Sequence, residues 1–560
     1  MDKALDMGKA SATGSFDLLI GVGGSSLIMA IGTLILAGLL PVEEVGLYGM
    51  ALIPSSIINY FRDWGVNYAI TQQVASLRAA GKEPEIHDVI FSGVFFEIIT
   101  GIVLSLACFA VAQPLALILS PTDAANLSVY IEIMSLSIFA GAVIAATGAV
   151  FTGFERMKLC SLTSILQAIV KTALGPFLIV LGFGVLGAVF AAMASFVFSG
   201  VVGIIIVYFA LFRPLRKSKI GRCDVKHSLK AMLSYGLPLT VSNTVFGVLP
   251  QVFAFTMAIY AGPSMMGNYY AAFYSSVLLM FISTPITTVL FPAFSKLNID
   301  KERELVKTVF VSSVKYTAML LVPATLLLMT LSAPLIGFLF PRDGILSALF
   351  IANAVLKFPY APLFLVLLSI TNLLVLFGSI SVGTFQTGIG KTKQIMKQSL
   401  ASLAVGLPLA YLLVAYLASI GGASYAIIGG ILGTLISTIP AIVWSLHWSW
   451  KQYRVKADFT VSAKIFFASL IASLATYLVI SFVNFPGYLV MLVCGFAVFL
   501  VVYLTSAPLL GAVNRVDISN FEAMFSSMGI FSKVLRIPLL FMQKMCEATE
   551  PKSMFATSSE

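Results

Sequence analysis

Residues 383–393 read Gly-Thr-Phe-Gln-Thr-Gly-Ile-Gly-Lys-Thr-Lys, ending in the Gly-Lys-Thr of a nucleotide-binding loop. Such a loop also needs a glycine five places before that Gly-Lys, so that successive N–H groups can curl around phosphates. Phe385 stands there instead. The stretch has a different counterpart in the chain itself. Residues 148–158 read Gly-Ala-Val-Phe-Thr-Gly-Phe-Glu-Arg-Met-Lys, so Gly148, Thr152, Gly153, Arg156 and Lys158 fall on Gly383, Thr387, Gly388, Lys391 and Lys393 at an offset of 235. Two earlier markers recur in the same order. Gly46-Leu-Tyr48 matches Gly267-Asn-Tyr269 at an offset of 221, and Pro114-Leu with Pro121 matches Pro334-Leu with Pro341 at 220. The chain therefore reads as two copies of one unit. The jump in offset places an insertion of about fifteen residues between Pro341 and Gly383, with 342–360 as its natural place.

Composition says what is repeated. Of 560 residues 59% are hydrophobic and 10% charged, and the mean hydropathy is +1.00, values of a polytopic membrane protein. Fourteen apolar runs of about 20 residues, the first near 15–40, the second near 46–70 and the last near 487–510, are each long enough to cross the hydrocarbon core as a helix. The first is too long for a cleavable signal and lacks a small-residue cleavage site. The expected fold is all-α, with about 14 transmembrane helices. They form two pseudo-symmetric six-helix lobes, 1–212 and 231–450, joined by a basic linker at 213–230. Two additional helices follow at 451–510, and then a tail at 511–560 whose segment 525–545 is amphipathic, with Pro538 interrupting it. An even helix count gives both lobes one orientation, as in transporters that rock two halves about a central site.

With both termini inside, 30 of the 34 Lys and Arg residues fall on the inner face; Arg342 and Lys357 lie outside, and Lys171 and Lys315 lie within helices. The net charge of +10 thus expresses topology and contact with anionic membrane lipids, not nucleic-acid binding. The five cysteines lie in membrane or inner segments, where no structural disulfide is expected. The three histidines have no metal-ligand spacing, so no metal or other cofactor is expected.

A charge within the bilayer costs about 2.5–3.5 kcal/mol at a helix centre and so faces a cavity or a partner. Arg62, Lys171 and Lys315 are the candidate cations for an anionic head group; Asp63, Glu97 and Glu132 are the candidate carriers of a coupled ion. The bland reading is also physical: Lys171 pairs with Glu97 or Glu132, and Arg62 snorkels to the surface. Arg342 and Lys357 mark the inserted outer loop as a candidate gate.

Residues 36–70, LAGLLPVEEVGLYGMALIPSSIINYFRDWGVNYAI, resemble the opening signature of polysaccharide-biosynthesis (Wzx-type) oligosaccharide flippases, in which a helix ends in an L-x-P-x-E-x-x-G-x-Y turn and the next in an acidic-then-glycine step. Here that step is Asp63-Trp-Gly65. Residues 360–370 with 383–393 resemble the matching tenth-helix segment. The sequence departs from the pattern at Ala37, where the family often has Arg, and in the 342–360 insertion. The superfamily also contains multidrug and toxin extrusion antiporters and a peptidoglycan-precursor flippase. The resemblance implies a cell-membrane flippase that moves a polyprenyl- or dolichyl-linked oligosaccharide outward, alongside the glycosyltransferases of a glycan pathway. A cation-coupled multidrug antiporter is the rival, and it calls for a carboxylate-dominated cavity. An enzyme is not expected, because the outer loops hold few acids and no nucleophile or metal constellation.

Overall fold

The computed structural model describes residues 2–62, 64–213, 225–295, 297, 302–342, 355–525 and 530–549. Those residues form helices and turns, with no strand among them. Nine of the described helices are long and apolar enough to cross a membrane. Three of these, Met157–Phe212, Thr244–Ser295 and Thr392–Tyr453, run to 56, 52 and 62 residues. At 1.5 Å per residue each would be far longer than a hydrocarbon core of about 30 Å. Each is broken near its middle by a glycine at positive φ, Gly182, Gly262 or Gly422, and is therefore two spans joined by a tight hairpin. Reading them so brings nine spans to twelve. The pair Ala361–Phe377 and Ser379–Gly388, bent by 60°, and the helix Val42–Arg62 complete fourteen.

The second span ends earlier than hydropathy suggests. The helix Val42–Arg62 stops at its arginine, Gly65 takes a left-handed conformation, and a separate 14-residue helix, Val66–Ala79, follows. Asp63 lies outside the described residues.

The repeat shows in local backbone geometry. The helix Ala124–Gly153 ends at Gly153 and Met157 starts the next; Ser379–Gly388 ends at Gly388 and Thr392 starts the next. In both turns the threonine hydroxyl donates to the carbonyl four residues back, Thr152 to Gly148 and Thr387 to Gly383, each at 2.8 Å. Arg156 N–H donates to the Phe151 carbonyl at 2.8 Å, and Lys391 N–H to that of Gln386 at 3.0 Å. The left-handed residue is Glu155 (φ 59°) in the first turn and Gly390 (φ 71°) in the second. A side chain is disfavoured in that region, so the first copy carries a strain that the second relieves with glycine. Glu155→Gly is expected to leave the turn intact and raise stability by about 1 kcal/mol, read as a higher unfolding midpoint in micelles. The proline markers behave alike: Ala112–Leu119 and Ser332–Leu339 are eight-residue helices following Val111 and Leu331, the equivalent caps.

Contacts divide the chain into two compact units, Met1–Ser275 with Met396–Ala441 and Ser276–Ile395 with Ile442–Glu560. In the first, the opening helix Asp2–Leu39 lies along Met157–Leu178, where the Thr172 hydroxyl donates to the Ile28 carbonyl at 3.1 Å. The helix Val42–Arg62 crosses the chain at Pro263–Gly267 backbone against backbone: a Cβ on Gly46 would strike the Pro263 carbonyl, and one on Gly267 the Val42 carbonyl. These two glycines are partners in the sequence repeat.

In the second unit a core of Ala318, Val322, Ile465, Ala468, Phe499 and Tyr503 extends into the tail through Ile518, Leu539, Met542 and Cys546. The amphipathic segment is thus largely the helix Ile530–Thr549, whose Leu539, Met542 and Cys546 join this core. That helix continues through Pro538 instead of being interrupted by it. Proline removes one helical hydrogen bond, a loss that packing of the adjoining Leu539 and Met542 offsets.

Candidate functional site

The embedded charges fall into three environments, none of them the pairing of Lys171 with a nearby glutamate that the sequence suggests. Arg62 ends its helix inside the first unit, 6% exposed, and its Nη1 donates to the carboxylate of Glu97, which is wholly buried. Asn67 Nδ2 donates to the other Glu97 oxygen at 3.0 Å, and Arg62 Nε to Asn59 Oδ1 at 3.3 Å. The left-handed Gly65 between the two helices helps build this cluster, in which Asn59, Arg62 and Asn67 converge on the helix Glu83–Ala110 carrying Glu97. Neither snorkelling nor a free cation describes Arg62. Buried in this way, the guanidinium and the carboxylate answer each other's charge.

Lys171 lies in the helix Met157–Leu178, one turn from buried Ala168 and Gly175 on the same face. It is half-buried, and among the described residues it makes no ion pair or hydrogen bond. Glu132, eight residues into the helix Ala124–Gly153, is likewise half-buried and its carboxylate unpaired among the described residues.

Lys315 belongs to the second unit, where its ammonium meets Asp517 at 2.5 Å, with the two side chains 19% and 5% exposed. The Lys315 ammonium, expected from the sequence to face a head group, here links the tail helix Arg515–Phe525 to Arg303–Thr330. Asn520 reinforces it by donating to the Tyr316 hydroxyl at 2.7 Å. The sequence reading missed Asp517. Its signal was the spacing Asn514-x-x-Asp517, a reciprocal cap in which each side chain accepts from the other's N–H at 2.9 Å.

In the outer insertion Arg342 is exposed, whereas Lys357 is half-buried with its ammonium 5.5 Å from the Phe358 ring centre. Burial pushes the Lys357 pKa down to about 8. Residues 343–354, most of the candidate gate, lie outside the described residues. Among the described residues no cluster of His, Cys, Asp or Glu is grouped to hold a metal.

The apolar helices among the described residues, carrying buried and half-buried charges, define a multi-pass membrane protein. The chain belongs to the polysaccharide biosynthesis protein family, whose profile matches residues 11–298. It is similar to an uncharacterized membrane protein of Methanocaldococcus jannaschii, 24% identical over 322 residues, 55% of this chain and 69% of that protein. Among solved structures it resembles the lipid II flippase MurJ in an inward closed conformation, with a TM-score of 0.66 at 16% identity over 87% of this chain and 97% of that one. It also resembles an inward-facing multidrug resistance MATE family transporter of the MOP superfamily, with a TM-score of 0.61 at 18% identity over 77% and 95%. The fold is therefore that of the MOP superfamily.

Proposed function

We propose that the protein is a secondary flippase that carries a lipid-linked oligosaccharide, on a polyprenyl or dolichyl phosphate or diphosphate, from the inner to the outer leaflet of the cell membrane. Its two halves, 1–212 and 231–450, rock against each other around the repeat axis, with both termini inside. Lys171 carries the reading. An ammonium held inside a membrane helix with no carboxylate against it among the described residues is suited to an anionic ligand, and a phosphate-linked glycan supplies one. The family match to polysaccharide biosynthesis and the likeness to a lipid II flippase support the same substrate class. Moving negative charge outward across an inside-negative membrane is favoured by about 2.3 kcal/mol per charge per 100 mV, so the step needs no nucleotide.

Glu132 is the observation that favours the rival, a cation-coupled multidrug antiporter. One assay separates them. Purified protein in vesicles is given a polyprenyl diphosphate bearing one N-acetylglucosamine, and the sugar reaching the far leaflet is captured by lectin. Protein-dependent translocation without ATP is expected, with no flux of tetraphenylphosphonium. Cation flux without movement of the lipid-linked sugar would establish the antiporter.

A further inference from the structure

Glu132 lines a crevice of ≈ 590 Å³ together with Ser105, Leu106, Phe109, Leu136, Phe190 and Met193 among others, within the range of about 300–1,000 Å³ usual for ligand pockets. All of these lie in the first compact unit. The carboxylate is the lone charge in a wall otherwise built of apolar side chains and two serines. Both serine hydroxyls are already committed. Ser135 donates to the backbone carbonyl of Glu132 at 2.7 Å, and Ser105 to that of Ser135 at 2.8 Å. The carboxylate oxygens therefore have open acceptor sites and no donor among the described residues.

The walls say what kind of molecule brings the donor. Leu106 is 64% exposed and Phe109 53%, and Leu136 and Phe190 are exposed too, an open apolar face on membrane-spanning helices of the kind that lipid chains cover. Glu132 lies about 12 Å along its helix from Ala124, at 1.5 Å per residue. The 30-residue helix overhangs a hydrocarbon core of about 30 Å by about 7 Å at each end when centred in it, which sets Glu132 about 5 Å inside the boundary between head groups and acyl chains.

We propose that this crevice binds a membrane lipid with a primary ammonium head group, phosphatidylethanolamine being the common example. Its ammonium meets Glu132, and its acyl chains run along Leu106, Phe109, Leu136 and Phe190. A primary ammonium offers three N–H donors to a carboxylate with unfilled lone pairs. A choline head group offers none and is best recognised by aromatic faces, and an anionic head group is repelled.

The test uses purified full-length protein in micelles with an equimolar mixture of phosphatidylethanolamine, phosphatidylcholine and phosphatidylglycerol, and reads co-purifying lipid by native mass spectrometry. Phosphatidylethanolamine is expected to be retained about tenfold over phosphatidylcholine, the increment of one charge-assisted bond. The isosteric Glu132→Gln is expected to bring the two to parity. On the wild-type protein, mono-, di- and trimethylation of the ethanolamine should lower retention stepwise, a readout that does not depend on the variant's folding. Equal retention of the two lipids, a preference unchanged in Glu132→Gln, or displacement by tetraphenylphosphonium, which has no N–H, would each overturn the proposal. The measurement is of bound lipid, so it stands apart from whether a glycan is flipped.

Discussion

A Glu97→Ala protein is expected to lose about 3–5 kcal/mol of stability, the cost of removing one partner of a buried ion pair. The loss comes less from the bond removed than from what remains. Arg62 is 6% exposed, and without Glu97 its guanidinium keeps, among the described residues, the Asn59 oxygen at 3.3 Å, while Asn67 Nδ2 loses its acceptor. Arginine does not escape by deprotonating, so its charge stays buried and unanswered. Removing both charges is a different experiment. Arg62→Met with Glu97→Leu leaves no orphan and is expected to recover most of the loss, because buried pairs replaced by apolar side chains of similar volume are often neutral or better. The measurement is unfolding of wild type, both single variants and the double variant in micelles. Single variants as stable as wild type would show that water reaches the cluster.

The features legible in the sequence were those written in local order. Hydropathy located the spans, and the shared Gly, Thr and cation spacing of 148–158 and 383–393 located two turns built alike, down to a Thr hydroxyl on the carbonyl four residues back. Partners were not legible. Arg62 and Glu97 are 35 residues apart and Lys315 and Asp517 are 202, and nothing in hydropathy or spacing links either pair. Reading each cation alone made three candidates of equal standing. Pairing separates them, since two have carboxylates against them and Lys171, among the described residues, does not. The tail misled for a related reason. The alternation of apolar and basic residues in 525–545 fits a lipid surface and a protein surface equally well, and Leu539, Met542 and the following Cys546 pack into the core of the second unit.

Lys171→Ala is therefore expected to abolish translocation of a phosphate-linked sugar while leaving the protein folded, a combination that neither paired cation should show. The two halves of this expectation have one cause. Because no described side chain answers the Lys171 ammonium, its removal orphans nothing and relieves an embedded charge, so the unfolding midpoint should stay level or rise. A phosphate in transit would lose a charge-assisted hydrogen bond worth about 1.5–3 kcal/mol, roughly 10- to 150-fold in flux if the bond is made at the barrier. Lys171→Arg keeps the charge on a different fork and should retain part of the activity, whereas Lys171→Glu repels the phosphate and should retain none. Flux in vesicles and midpoint in micelles, measured on the same preparations, check both halves. Lys315→Ala is the control: it leaves the Asp517 carboxylate, 5% exposed, without its cation and with the Asn514 N–H as its remaining described donor, and should lower the midpoint first. Full flux through Lys171→Ala would remove the anion-binding role, and a matching fall in midpoint would make Lys171 a structural residue like Lys315.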